Sequence, residues 1–291
     1  MQVTERIHAV RLPFTLALPG GQVLERFVYA YLICGGRICL IDAGVAASRE
    51  AIFGYLSAIG REPAEISHLV LTHAHPDHIG AAAAIRAETG CTVTAHRDAI
   101  PWIEDTQRQF RERPVPSFHE IVGGPTPVDA GVEDGDTVEL GADGALSVIE
   151  TPGHSRGHIA LHSAQDRALF CGDTVPVPGQ MPVYEDVALL VRSLERLLGV
   201  VPVEVLLSSW DEPRRGEAAR GAVGAGLAAV RELHALVMRV SEQSGSEDPI
   251  RVAAGVVHAL GLPEAALNAV VVASIAAHLR AADTEELADM A

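Results

Sequence analysis

Aromatic side chains are scarce in this chain of 291 residues, at 4%, so its interior has to be built mainly from aliphatic residues and alanine. Apolar residues as a whole reach 48%, enough for a sizeable core. Cysteine is rare too. Cys34, Cys39, Cys91 and Cys171 are the only four, and no two are spaced C-x-x-C. In a chain of this length they do not form a disulfide framework. Cys34, Cys39 and Cys171 lie in apolar, strand-like runs, where a free thiol behaves as a small hydrophobe. Positive charge is short as well: 22 basic residues face 38 acidic ones, a net charge of −16. A surface this acidic repels phosphate, which argues against nucleic acid and anionic membranes as partners. No uninterrupted apolar run reaches the roughly 20 residues of a membrane span. The N-terminus lacks a basic stretch followed by an apolar one. Together these absences lead us to expect a protein of the reducing cytoplasm.

What is present reads first as strands. Residues 27–34 and 37–42 are apolar runs joined by Gly35-Gly36, the pattern of a β-hairpin. Residues 47–60 have helical spacing at Ile52, Leu56 and Ile59. Residues 66–72 read as a buried strand that runs into Thr72-His73-Ala74-His75-Pro76-Asp77-His78. A helix is expected to begin near His78, with Asp77 as its cap. Residues 110–135, rich in Pro, Gly and charge, read as a long loop. Strands are expected at 136–140, 146–150, 159–162, 168–171 and 203–209, with a helix at 187–198. Beyond Pro213 the texture changes to Ala-rich helical periodicity, broken at 244–249. The expected division is therefore a catalytic domain over residues 1–213 and an all-helical region over 214–291.

His73, His75, Asp77 and His78 fall within six positions. Two histidines two apart point the same way as a strand ends, and Asp77 and His78 follow as the chain turns. One short segment can thus present ligands to two neighbouring ions, and imidazole with carboxylate suits Zn, Fe, Mn or Ni. His154, in Thr151-Pro152-Gly153-His154, and Asp173, in Gly172-Asp173, each follow a strand. His73, His75 and His154 make the three-ligand set that leaves a catalytic zinc an open position. Asp42 is a candidate acceptor behind these ligands. His119, Arg156, His158 and Tyr184 are weaker candidates for lining a pocket. The other histidines, among them His234 and His278, read as bystanders.

The order H-x-H-x-D-H, T-P-G-H, G-D resembles the metallo-β-lactamase superfamily over roughly residues 8–212. The resemblance takes in Leu40-Ile41-Asp42-Ala43-Gly44 and Asp134-Gly135-Asp136. It implies an α/β fold, a four-layer αβ/βα sandwich of two mixed sheets, here with an all-helical C-terminal extension. It also implies two divalent metal ions, zinc first with iron or manganese as alternatives. The first would be bound by His73, His75 and His154 and the second by Asp77 and His78, with Asp173 bridging. The family's last histidine ligand is missing. Its place reads Leu207-Ser208-Ser209-Trp210-Asp211-Glu212-Pro213, and Asp211 is the nearest replacement.

Such a site implies a hydrolase that activates water to cleave a small ester, thioester or lactone, with Asp77 orienting the nucleophile and moving its proton. The helical extension resembles the general plan of glyoxalase II-like enzymes, as a cover for the substrate or a homodimer contact. Two other readings stand beside this one. One is a mononuclear-iron oxidoreductase of the persulfide dioxygenase type, which the missing histidine would suit. The other is a non-catalytic interaction module, against which the intact ligand set speaks.

Overall fold

Two six-stranded sheets meet face to face in the computed structural model, which describes residues 1–17, 21, 23–263 and 266–281. The first sheet runs in chain order: β1 (Ile7–Ala17), β2 (Val23–Cys34), β3 (Ile38–Ile41), β4 (Ile66–Leu71), β5 (Thr92–His96) and β6 (Ala130–Val132). Its first three strands are antiparallel and the rest parallel. The second holds β7 (Thr137–Glu139), β8 (Ala145–Glu150), β9 (Ile159–Ser163), β10 (Ala168–Gly172), β11 (Val205–Ser208) and β12 (Arg214–Arg215). There β10 and β11 are parallel, and α7 (Val187–Leu198) lies in the connection between them. Both sheets are mixed, as expected.

Period-2 alternation builds the layers. In β10, Ala168 and Phe170 join the core between the sheets, while Leu169 and Cys171 face the outer helices. Likewise in β11, Val205 and Leu207 point inward and Leu206 outward. On the far side of the first sheet, Leu69 and Leu71 of β4 pack with Ile52 and Leu56 of α1 (Ser48–Ala58) and Ile85 of α3 (Ala82–Thr89). The result is the four-layer sandwich. All four cysteines are free.

Three features differ from expectation. β1 pairs with β2 along its whole length, from Ile7 opposite Ile33 to Ala17 opposite Val23, and becomes the edge strand of the first sheet. The stretch 110–135 is not one loop. After α4 (Ile100–Glu104), it holds the end of α5 (Thr106–Glu112), the single-turn α6 (Phe118–Ile121) and β6. The helix after the histidine motif starts at Pro76, so Asp77 lies in its first turn and His75 takes the cap position. That helix, α2 (Pro76–Ile79), is broken from α3 at Gly80, where the chain passes against other backbone. A Cβ there would overlap the Ile121 carbonyl oxygen and the Val45 Cα.

The helical region consists of α8 (Glu217–Ser244), α9 (Pro249–Ala259) and α10 (Ala269–Arg280), with the break at 244–249 where the sequence places it. Residues 264–265 and 282–291 lie outside the described residues. Asp248 caps α9 and Asn268 caps α10 through their side chains. By length and composition α8 could cross a membrane. Its Val223, Leu227, Val230 and Val237 are instead buried in the core that α7 shares with the outer face of the second sheet. The helices are thus part of the sandwich's own packing.

A polar chain is buried in that packing. The Tyr184 hydroxyl bonds the His278 Nε2 of α10, and His278 Nδ1 meets His234 Nδ1 of α8 at 3.1 Å. The backbone N–H of Tyr184 donates to Ser274 Oγ of α10 at 3.2 Å. Burial, aided by His234, lowers the His278 pKa from 6.5 to about 3. The folded protein therefore keeps His278 neutral where the unfolded chain takes up a proton. Its share of stability is complete above the unfolded value near 6.5 and is lost as pH falls from there towards 3. A His278→Gln variant keeps a donor and an acceptor but cannot titrate. Urea titrations from pH 7 to 4 should show wild type losing more stability than the variant, by on the order of 3 kcal/mol. Parallel curves would refute the assignment.

Candidate metal centre

The centre is assembled at the ends of strands β3, β4, β8 and β10. Asp42, just past β3, is 2% exposed and adopts φ +60°, a conformation L-residues rarely take. Its carboxylate accepts three hydrogen bonds of 2.8 Å, from Thr72 N, Thr72 Oγ1 and His78 Nδ1. A hydroxyl has one proton to give. Thr72 Oγ1 gives its proton to Asp42, so it accepts from His73 Nδ1 at 3.0 Å. The inner Nε2 of His73 is thereby left with a lone pair facing the centre, and the Nε2 of His78 is aimed at the same place. Asp42 holds the place expected for it behind the ligands.

On the opposite side, His154 Nδ1 donates to the Val183 carbonyl at 2.6 Å, and its Nε2 lies 2.8 Å from His75 Nδ1. Asp173 follows β10. Its Oδ2 is 3.3 Å from His154 Nε2 and 3.8 Å from His73 Nε2, and its Oδ1 is 3.4 Å from His78 Nε2. His158 braces it from behind. The ring's Nε2 accepts the Asp173 backbone N–H at 3.1 Å, and its Nδ1 meets the hydroxyls of Thr151 and Thr174 at 2.8 and 3.0 Å. Gly172 leaves room for that ring, since a Cβ would stand 2.6 Å from His158 Nε2.

Ligand atoms of His73, His75, His154 and Asp173 all lie within 4.8 Å of one another. His78 Nε2 adjoins this group, with an Asp77 oxygen 3.8 Å away. The Nε2 atoms of His73, His75 and His78 and Oδ1 of Asp173 are buried without a hydrogen-bond partner. Orphaned polar atoms are costly to bury, and these four, gathered in one buried centre, fit divalent cations. The protonation states fit as well. Burial holds the His73 and His75 pKa values well below the usual range and takes His154 down to about 4, so all three are neutral. Burial works against charge on His78 too, but Asp173, Asp42 and Asp77 outweigh it and raise its pKa. Burial also raises that of Asp77.

Six of the seven residues singled out as ligands are brought together: His73, His75, Asp77, His78, His154 and Asp173. Asp211 is not. Its Oδ2 is engaged by Arg214 Nε at 2.6 Å, and the position against Asp173 is taken by Trp210, whose indole N–H donates to Oδ2 at 2.7 Å. Of the weaker candidates, Tyr184 points away into the helices, and His119 packs at a tilt against Phe110. Arg156 is exposed and paired with Asp98. Sequence reasoning missed Trp210, Val183 and Gln109, whose side-chain amide donates to the Ala74 carbonyl between His73 and His75. Only Trp210 had a visible signal, since it stands in the segment where a histidine was sought.

Asp42→Asn keeps the side chain's shape but puts an amide N–H₂ where one carboxylate oxygen accepts protons. Loss of a hydrogen-bond partner behind metal ligands lowers metal affinity by roughly 10–100-fold. Competition with a chromogenic chelator should show that drop with the far-UV spectrum unchanged. Unaltered affinity would remove Asp42 from the site's support.

The sequence profile of the metallo-beta-lactamase superfamily matches residues 23–209. A hydroxyacylglutathione hydrolase of Fuscovulum blasticum is 32% identical over 188 residues, covering 63% of this chain and 62% of its own length. The chain thus spans somewhat under two thirds of that curated relative. A metallo-beta-lactamase family protein of Thermus thermophilus is similar in structure, with TM-score 0.73 and 21% identity over 96% of this chain and 94% of the other. A beta-lactamase domain protein from Burkholderia ambifaria gives 0.67 and 21% over 96% and 86%. At such identities the structures speak to the fold alone. With a profile match over most of its length and the same sandwich in solved structures, the chain belongs to the metallo-beta-lactamase superfamily.

Proposed function

We propose that this protein is a divalent-metal hydrolase of small thioesters or related esters, with zinc as its ion. The observation that carries the proposal is the convergence of buried His73, His75, His154 and Asp173, whose ligand atoms lie within 4.8 Å of one another, with the Nε2 atoms of His73 and His75 unpartnered. His73, His75, His154 and Asp173 would hold one ion. Asp77, His78 and the second oxygen of Asp173 would face another. The name of the relative above, hydroxyacylglutathione hydrolase, denotes cleavage of a thioester and supports that bond as the first choice. A cavity of about 410 Å³ lies against the loop that carries His154, lined by Gly153, Ser155, Arg156, His158, Glu185 and Leu189. That volume suits a small-molecule substrate.

When bound, the ion supplies Lewis acidity, which polarises an acyl carbonyl and makes water acidic near neutral pH. The chain supplies orientation and a proton acceptor. Val183 and Thr72 hold His154 and His73 in the tautomer that turns a lone pair inward. Asp77 is the carboxylate not tied up behind another ligand, and it is placed to take the proton of the attacking water. The carboxyls of Asp42 and Asp173 are already committed to Thr72 and His78 and to Trp210.

Purified protein is expected to carry a stoichiometric divalent metal and to hydrolyse a hydroxyacylglutathione thioester. Chelation or His73→Ala should reduce the rate by at least about 1,000-fold. Metal-free protein with full activity would end the proposal. Since burial raises the Asp77 pKa, the acid limb of kcat should lie above the value of about 3.9 typical of aspartate. The rate should fall as pH drops through that limb, because the base is then protonated. Asp77→Asn should lower kcat by roughly 100–10,000-fold and abolish the limb. An unchanged pH–rate profile in that variant would assign the proton transfer elsewhere.

A further inference from the structure

Trp210 occupies a position that bears directly on the two halves of the metal centre. An indole N–H is a donor with no lone pair to offer, so it cannot ligate a cation. Here it donates to Oδ2 of Asp173 at 2.7 Å, a charge-assisted bond that fixes the carboxylate's orientation. Oδ2 is thereby held towards His154 and His73, at 3.3 and 3.8 Å, and the orphaned Oδ1 towards His78 at 3.4 Å. The His73 side of the centre gathers four ligand residues. The His78 side is left with three donors: Asp77, His78 and Oδ1.

The segment after β11 adds no fourth ligand. Asp211 is turned onto Arg214, which β12 holds beside β11. Nor is Trp210 a loose lid. Its ring packs at 6.4 Å from Phe27, with the Arg26 guanidinium 5.8 Å from the indole. The preceding residue is tied on both sides. Ser209 O accepts from Tyr29 N at 2.8 Å, and Ser209 N donates to Gly172 O at 3.0 Å.

We propose that Trp210 makes the centre unequal: one divalent ion is bound tightly by His73, His75, His154 and Asp173, and a second only weakly by Asp77, His78 and Asp173. This rests on the reading of the cluster as a metal site, but not on any substrate. Trp210 acts here as a positioning residue. It orients Asp173 towards the first ion, and its indole, which has no lone pair to give, adds no ligand for the second.

The test is a Zn²⁺ titration of the full-length protein after chelator stripping, followed by calorimetry and by metal analysis after gel filtration. Wild type should retain one ion per chain and bind a second at least about 100-fold more weakly. Trp210→His, which restores a ligand-type side chain, should retain two. Trp210→Phe removes only the hydrogen bond and should stay at one, held less tightly. A Trp102→Phe background leaves Trp210 as the sole indole. There, emission should change with the first equivalent of Zn²⁺ and not with the second. Two ions within tenfold of each other in wild type would overturn the inference while leaving the metal reading intact. No ion retained would overturn both. Trp210→His that folds and still retains one ion would overturn the role of Trp210. If that variant does not fold, the wild-type stoichiometry decides alone.

Discussion

Three hydrogen bonds to one buried carboxylate tie this protein's scaffold to its chemistry. Asp42 stands where β3 ends and accepts from Thr72 and His78 on the segment that follows β4. The bond to Thr72 N continues the pairing of β3 and β4 past their last ladder residues. The bond to Thr72 Oγ1 settles the tautomer of His73, and the bond to His78 Nδ1 settles that of His78. A φ of +60° on a non-glycine residue costs of order 1–3 kcal/mol. It persists because three donors converge on the side chain it presents. Asp42 thus converts strand pairing into ligand orientation without touching the centre itself.

Much of this was legible in the sequence, and for physical reasons. The apolar runs at 66–72, 159–162 and 168–171 mark strands because one face meets the facing sheet and the other meets helices, so both are buried. Helical spacing at 187–198 marks α7 because its buried residues, Val187, Leu190, Val191, Leu194 and Leu197, form one stripe. The candidate ligands are local in sequence or follow strand ends, so their grouping could be anticipated. Other features were not local. β1 is the exception, since Val10, Leu12, Phe14 and Leu16 alternate with Arg11, Pro13 and Thr15 in a strand pattern that Pro13 obscures. α5 and α6 are short and lie in a stretch whose Pro and Gly content masks them. Gln109 reaches Ala74 from 35 residues away, and nothing in either segment announces it. Asp211 shows the limit from the other side. A carboxylate in the right segment is a ligand only if no cation is closer, and Arg214 is three residues on.

The helical region illustrates how packing and site are joined. Its helices bury the outer face of the second sheet, where Leu169, Cys171 and Leu206 would otherwise meet water. They also hold Tyr184 by its backbone N–H and its hydroxyl. The residue before Tyr184 is Val183, whose carbonyl orients His154. Histidines 234 and 278, unremarkable in the sequence, are the inner end of that support.

This last connection has a consequence for how the protein is made. Synthesis runs from the N-terminus, and every residue facing the metal centre up to Asp173, together with Trp210, leaves the ribosome before α10 exists. The nascent chain therefore owns all the candidate ligands before it owns the element that steadies one of them. The support of His154 is thus completed by contacts that residues 269–280 make with Tyr184, far along the chain from the ligand candidates.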